Sequence, residues 1–149
     1  MILYLDASAL VKQYVNETGS DQVEAAVAQA ESTATVLISR AEVSAALAKA
    51  VRLNVLTAKA GATTLQAFRS DWLSLVRIQV TELVAARADA FAWEHALRGY
   101  DAVHLAAASV WAEAMGVPVT FATFDRRLWR AARRSGFHAY PENLAGALD

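Results

Sequence analysis

Apolar positions in this chain form short continuous runs separated by longer stretches in which they recur every three or four residues. Ile2-Leu3-Tyr4-Leu5 is one such run, ended by Asp6, and its length suits a buried strand better than a helix. The β-branched, apolar Thr35-Val36-Leu37-Ile38 predicts a second strand, and Val76–Val80 and Val119–Thr123 predict two more. An edge strand is expected over Phe137–Tyr140, before Pro141. Helices are expected between these runs: Ala9–Val15, Ser20–Ala30 with Val23, Ala26, Val27 and Ala30 inward, and a helix capped by Ser39 that carries Glu42, Ala46 and Leu53. Further helices run from Thr57 to about Leu75, from Thr81 to a close at Gly99, and from an Asp101 cap through Val103–Met115, ended by Gly116 and Pro118. A last amphipathic helix begins at Asp125 and ends at Gly136. With no repeat, low-complexity tract or long linker, this alternation predicts an α/β fold in which helices sandwich a parallel sheet.

Composition narrows the setting. A chain of 149 residues fits one compact domain, 1–149, and can bury roughly two thirds of its unfolded surface. Cysteine is absent, so disulfides and thiolate metal sites are excluded, and a reducing, cytoplasmic setting fits best. No apolar run approaches the ~18 residues that span a bilayer, and MILYLDAS lacks the basic region of a secretory signal, so no membrane association is expected. The formal net charge is −1, which makes any contact with nucleic acid a local matter. Alanine-rich stretches favour closely packed helices, while four tryptophans and five phenylalanines supply bulk.

The chemistry concentrates in acids. Asp6, Asp101 and Asp125 follow predicted strands or open predicted helices, and Glu42 lies in the first turn of a helix that itself follows a strand. Ligands of open α/β sheets bind beyond the carboxyl ends of the strands, so these four side chains are expected to converge on one pocket. Clustered carboxylates repel one another and raise each other's pKa unless a cation neutralises them. An all-oxygen set suits Mg²⁺ or Mn²⁺, whose remaining positions take water and phosphate oxygens, and a phosphodiester becomes the natural substrate. Asp6 and Asp101 are the expected central ligands.

Each residue also has a plainer reading. Asp101 and Asp125 fit helix caps, and Glu42 fits a solvated helix face. Asp6 is harder to explain away, because an unpaired carboxylate at the end of an apolar strand is costly. Ser8 and Thr123 are candidates for supporting hydroxyls, Ser8 equally for capping the helix from Ala9. His104, one helical turn after Asp101, reads as a structural histidine and stands outside the catalytic set. Arg126, Arg130 and Arg133, with Arg127 and Arg134 adjacent, form a basic stripe; Arg126 and Lys12 are the candidate contacts to RNA phosphates, with a solvated face as the alternative.

Four blocks, LDASALVKQY, SRAEVSAAL, GYDAVHLAAA and ATFDRRL, together resemble the PIN-domain nucleases, and within them the VapC toxins of bacterial and archaeal toxin–antitoxin pairs. The resemblance covers essentially the whole chain in order and spacing. It implies a three-layer α/β/α sandwich with a central parallel sheet, Mg²⁺- or Mn²⁺-dependent endonuclease cleavage of RNA, inhibition by a VapB-like antitoxin, and a homodimer. Residue by residue it assigns the four family acids to Asp6, Glu42, Asp101 and Asp125, and the two family hydroxyls to Ser8 and Thr123, with no departure at an acidic position. A receiver-type signalling module would want paired acids after the first strand and a late lysine, and neither is present. An aspartyl-nucleophile phosphatase would want an aspartate where Ser8 stands. The remaining alternative is a non-catalytic RNA- or protein-binding module that retains the PIN-like fold.

Overall fold

The computed structural model describes residues 1–147. Five parallel strands, β1 (Ile2–Leu5), β2 (Ser32–Val36), β3 (Val76–Ile78), β4 (Val119–Ala122) and β5 (His138–Tyr140), form one sheet in the order β3-β2-β1-β4-β5. Leu3, Tyr4 and Leu5 of the central strand are wholly buried, as a strand covered on both faces requires. Their side chains alternate: Leu3 and Leu5 join one core cluster, and Tyr4 joins the other.

The Leu3–Leu5 face is covered by α1 (Ala7–Leu10), α2 (Ser20–Gln29), α3 (Ser39–Arg52) and α4 (Ala58–Asp71) through Leu10, Val23, Val43 and Phe68. The Tyr4 face is covered by α5 (Glu82–His95), α6 (Gly99–Met115) and α7 (Arg126–Arg134) through Val84, Leu105 and Leu128. A short α8 (Leu144–Ala147) follows the sheet. The expected α/β/α sandwich is therefore present. Buried alanines, Ala102, Ala106, Ala107 and Ala108, line α6 and let it pack closely in this layer. No helix among the described residues is long and apolar enough to cross a membrane.

Strand order decides where a ligand crevice opens. The chain builds outward from β1 to β2 and β3, then returns to the opposite side of β1 to lay down β4 and β5. The direction reverses between β1 and β4, and the gap beyond their carboxyl ends is the place where such sheets bind ligands. Asp6 extends β1 into this gap, its N–H still donating to the Ala122 carbonyl at 3.1 Å.

Several boundaries differ from expectation, each for a local reason. The second strand is Ser32–Val36 rather than Thr35–Ile38, because Ser32 pairs with Ile2 while Leu37 and Ile38 already turn toward α3. Ser39 begins α3 without capping it; its hydroxyl bonds Thr35 Oγ1 at 2.6 Å. The expected Ala9–Val15 helix is the shorter α1 followed by a 3-10 turn, Val11–Gln13, and its cap is Asp6, not Ser8. Gly99 opens α6 instead of closing α5, which ends at His95 with Ala96 at φ 52°, so Asp101 lies in the first turn and not at the cap. Thr57, Thr81 and Asp125 do cap their helices.

Ser20 likewise opens α2 without capping it, since its hydroxyl donates to the Val15 carbonyl at 3.1 Å. The cap position belongs to Gly19, at φ +92°, where a Cβ would stand 2.4 Å from the buried Phe124 ring. Gly19→Ala should therefore destabilise the protein by about 2 kcal/mol through backbone strain and overpacking, read as a lower urea midpoint. An unchanged midpoint would show that the Phe124 ring yields without cost.

Candidate active site

Asp6 is 3% exposed, yet both its oxygens are occupied. Oδ1 accepts from the Ala9 N–H at 2.8 Å, Oδ2 accepts from the Thr123 hydroxyl at 2.6 Å, and the Ser8 hydroxyl lies 2.7 and 2.9 Å from the two. Burial raises the Asp6 pKa above the usual carboxylate range; the nearby His104 and these hydrogen bonds oppose the shift without cancelling it. The two hydroxyls also tie the loops together. Ser8 accepts from the Phe124 N–H at 2.9 Å, and Thr123 Oγ1 accepts from the Asp125 N–H at 3.1 Å, so the ends of β1 and β4 hold each other in place.

Asp125 caps α7 with Oδ1, which accepts from the Leu128 N–H at 2.9 Å. Its Oδ2 accepts from Arg98 Nη2 at 3.1 Å, and Asp101 Oδ2 accepts from Arg98 Nε at 3.0 Å. One guanidinium therefore joins the acids of α6 and α7, and the two carboxylates push its pKa up, Asp101 most. Glu42, in the first turn of α3, reaches across to α6, where Oε1 accepts from His104 Nε2 at 2.7 Å. His104 Nδ1 lies 2.9 Å from the Tyr4 hydroxyl. Burial, with Asp6 and Glu42 nearby, raises the Tyr4 pKa well above its usual value and keeps that hydroxyl protonated. His104 and Asp101 are three residues apart on one helix, so both face the crevice side where Glu42 arrives.

Three of the expected acids form one hydrogen-bonded network, Asp6 through Thr123 to the Asp125 N–H and Asp125 through Arg98 to Asp101, while Glu42 belongs to a separate chain with His104 and Tyr4. They are linked in pairs: among the described residues, no three acidic or histidine side chains are grouped closely enough to enclose a metal ion. The donor chemistry nevertheless suits a hard cation, because every carboxylate is an oxygen ligand and a positive group already stands between two of them. Ser8 and Thr123 lie inside this network. Lys12 does not: its ammonium bonds Glu17 at 2.9 Å and the Thr18 carbonyl at 2.7 Å over the Phe124 ring, which leaves it buried and engaged. Arg126 opens α7 beside Asp125 and lines a shallow groove with Trp129, Arg130 and Asn143. Arg133 stacks on Trp129 instead.

Sequence reasoning passed over Arg98 and set His104 aside. Their spacing, three residues either side of Asp101, was the available signal, since residues three apart on a helix share a face.

Comparison with known proteins agrees with this fold. The family model described as PIN domain matches residues 3–134. Two Mycobacterium tuberculosis proteins, Ribonuclease VapC45 and Ribonuclease VapC49, are each 36% identical to this chain over 144 residues, covering 96% of it and 97% of their own length. Among solved structures, PAE2754 from Pyrobaculum aerophilum superposes with a TM-score of 0.64 at 22% identity, covering 99% of this chain and 89% of its own. FitAcB from Neisseria gonorrhoeae gives 0.63 at 18%, covering 97% and 99%. A toxin–antitoxin complex from Klebsiella pneumoniae gives 0.56 at 21%, covering 84% and 87%. A five-stranded parallel sheet, a family model that matches residues 3–134 and relatives that match nearly the whole length make this chain a member of the PIN domain family.

Proposed function

We propose that this protein is an endoribonuclease of the VapC kind, hydrolysing RNA phosphodiester bonds as the toxin of a toxin–antitoxin pair. What supports the reading is that Asp6, Glu42, Asp101 and Asp125 each stand at the start of a different helix, with Asp101 and Asp125 bridged by Arg98 and Asp6 and Asp125 tied through Thr123. The names of the two mycobacterial relatives support the activity, and the Klebsiella complex supports a partner of the VapB-like antitoxin class. The whole chain acts as one nuclease domain in this reading, and its lack of cysteine suits the cytoplasm. Exposed Leu83, Trp93 and Tyr100 offer apolar surface for the homodimer expected of such proteins.

The four carboxylates would hold a divalent cation, Mg²⁺ or Mn²⁺. When bound, such an ion polarises a phosphoryl oxygen and lowers the pKa of a coordinated water. The chain's own residues do the rest. Ser8, Thr123 and the Ala9 N–H hold both Asp6 oxygens so that the carboxylate cannot rotate away, and His104, held by Tyr4, does the same for Glu42. Arg126 and Arg130, in the groove beside Asp125, are placed to receive RNA phosphates. Lys12 is left out of this role because its ammonium is engaged with Glu17 and the Thr18 carbonyl.

Two predictions test the reading. Asp6→Asn should cut RNA cleavage by roughly two orders of magnitude or more and abolish the Mn²⁺-induced rise in melting temperature. The same variant in EDTA near neutral pH should melt no lower than wild type. The sign follows from burial: the folded-state pKa of Asp6 lies above the value of about 3.8 that applies when it is unfolded, so ionised Asp6 subtracts stability at neutral pH, and that cost disappears as pH falls through the folded value. Wild-type cleavage by Asp6→Asn would overturn the role given to Asp6, and a wild-type protein that cleaves no RNA would leave the binding-module alternative in its place.

The second prediction concerns pH. Cation binding needs Asp6 ionised, and a raised pKa moves the loss of binding to a higher pH than an ordinary carboxylate would show. Cleavage measured at saturating RNA should fall steadily from pH 8 toward about pH 5. A flat profile over that range would count against a carboxylate-held cation.

A further inference from the structure

Arg98 occupies an unusual position for an exposed arginine. It precedes α6 with an extended backbone, φ −65° and ψ 153°, and its side chain is 72% exposed. The carboxylates it bonds are far less so, at 17% for Asp101 and 27% for Asp125. The guanidinium thus sits on the solvent side of two partly buried acids, one three residues away in the chain and one 27.

Which oxygens it takes matters. Asp125 uses Oδ1 to cap α7, so Oδ2 is the oxygen left for a ligand, and Oδ2 is the one that accepts from Arg98. Asp101 likewise directs Oδ2 at Arg98. A positive group here lowers the mutual repulsion of the acids, as a bound cation would, and it competes for the same lone pairs. Exposed ion pairs are individually weak, because water and salt screen them and two flexible side chains must be held still. An Arg98 bridge that is 72% exposed is therefore one that a divalent ion could displace.

We propose that Arg98 is a built-in competitor for the cation: it bridges Asp101 and Asp125 in the cation-free protein, and a divalent ion entering the cluster displaces it. This rests on the cation-dependent reading given above. Arg98 then acts as a positioning residue that keeps the empty site folded at the cost of some affinity for the ion. It also accounts for the pairwise linkage of the acids, since a bridge between two carboxylates holds them around itself and not around a common point.

The test is a Mn²⁺ titration of the full chain by calorimetry, with wild type, Arg98→Gln, Arg98→Lys and Asp101→Asn. Removing the competitor should tighten Mn²⁺ binding by about 3- to 10-fold in Arg98→Gln. Arg98→Lys, which keeps the charge but cannot form the two-nitrogen bridge, should fall between it and wild type, and Asp101→Asn should bind most weakly. In EDTA, Arg98→Gln should melt below wild type, and the gap should narrow at saturating Mn²⁺. Titration with diamagnetic Mg²⁺ should move the Arg98 Nε–H resonance, identified by its absence from both Arg98 variants, toward the position of a free arginine. Equal or weaker Mn²⁺ binding by Arg98→Gln, beside a wild type that does bind, overturns this inference and leaves the nuclease reading intact. A wild type that binds no Mn²⁺ overturns both.

Discussion

The structure turns on a negative charge held at the end of the central strand. Asp6 continues a strand whose preceding three residues are wholly buried, and at 3% exposure it has almost no water to solvate it. An ion in that position is unfavourable unless donors surround it. The surrounding chain provides them: the Ala9 N–H of α1, the Ser8 hydroxyl and a hydroxyl from the loop after β4. Because Thr123 comes from the far side of the sheet's reversal point, solvating Asp6 also fixes how β1 and β4 sit at the crevice, and through Thr123 where Asp125 begins α7.

The same rule places the other acids. Glu42 and Asp101 lie in the first turns of α3 and α6, and Asp6 and Asp125 cap α1 and α7. Each carboxylate thus sits at the positive end of a helix, where free N–H groups and the helix dipole favour an anion. A fold of this kind can gather four negative charges without four basic side chains beside them. Beyond the helix ends, Arg98 meets two of the acids with its charge on the solvent side and His104 hydrogen-bonds Glu42 on the buried side, and the two differ in kind. His104 is locked between Tyr4 and Glu42 and belongs to the scaffold, whereas Arg98 stands in water and can leave.

Burial raises the Asp6 pKa, so its ionised form is held at a cost in stability, and that cost falls at the crevice proposed as the active site. Elsewhere the molecule follows ordinary packing rules: alternating strands, caps at Thr57 and Thr81, and small residues where helices approach closely.

The strands, the order of helices between them and the places of the four acids at helix starts were legible in the sequence, because apolar runs, periodicity and capping residues act over a few positions. So were the hydroxyls Ser8 and Thr123, through their neighbourhood to Asp6 and Asp125. Boundaries failed where a distant partner outweighed the local pattern: Ser32 became a strand residue because Ile2 pairs with it, and Ser39 gave up its capping role to Thr35. Lys12 read as a free cation until folding placed Glu17 and the Thr18 carbonyl around it. The spacing of Arg98 and His104 from Asp101 was visible, but not their roles, since their partners, Asp125 and Glu42, lie 27 and 62 residues away. Local physics determines which elements form and which residues stand at their ends. Which charges meet across the crevice depends on strand order, and only the closed tertiary structure decides that.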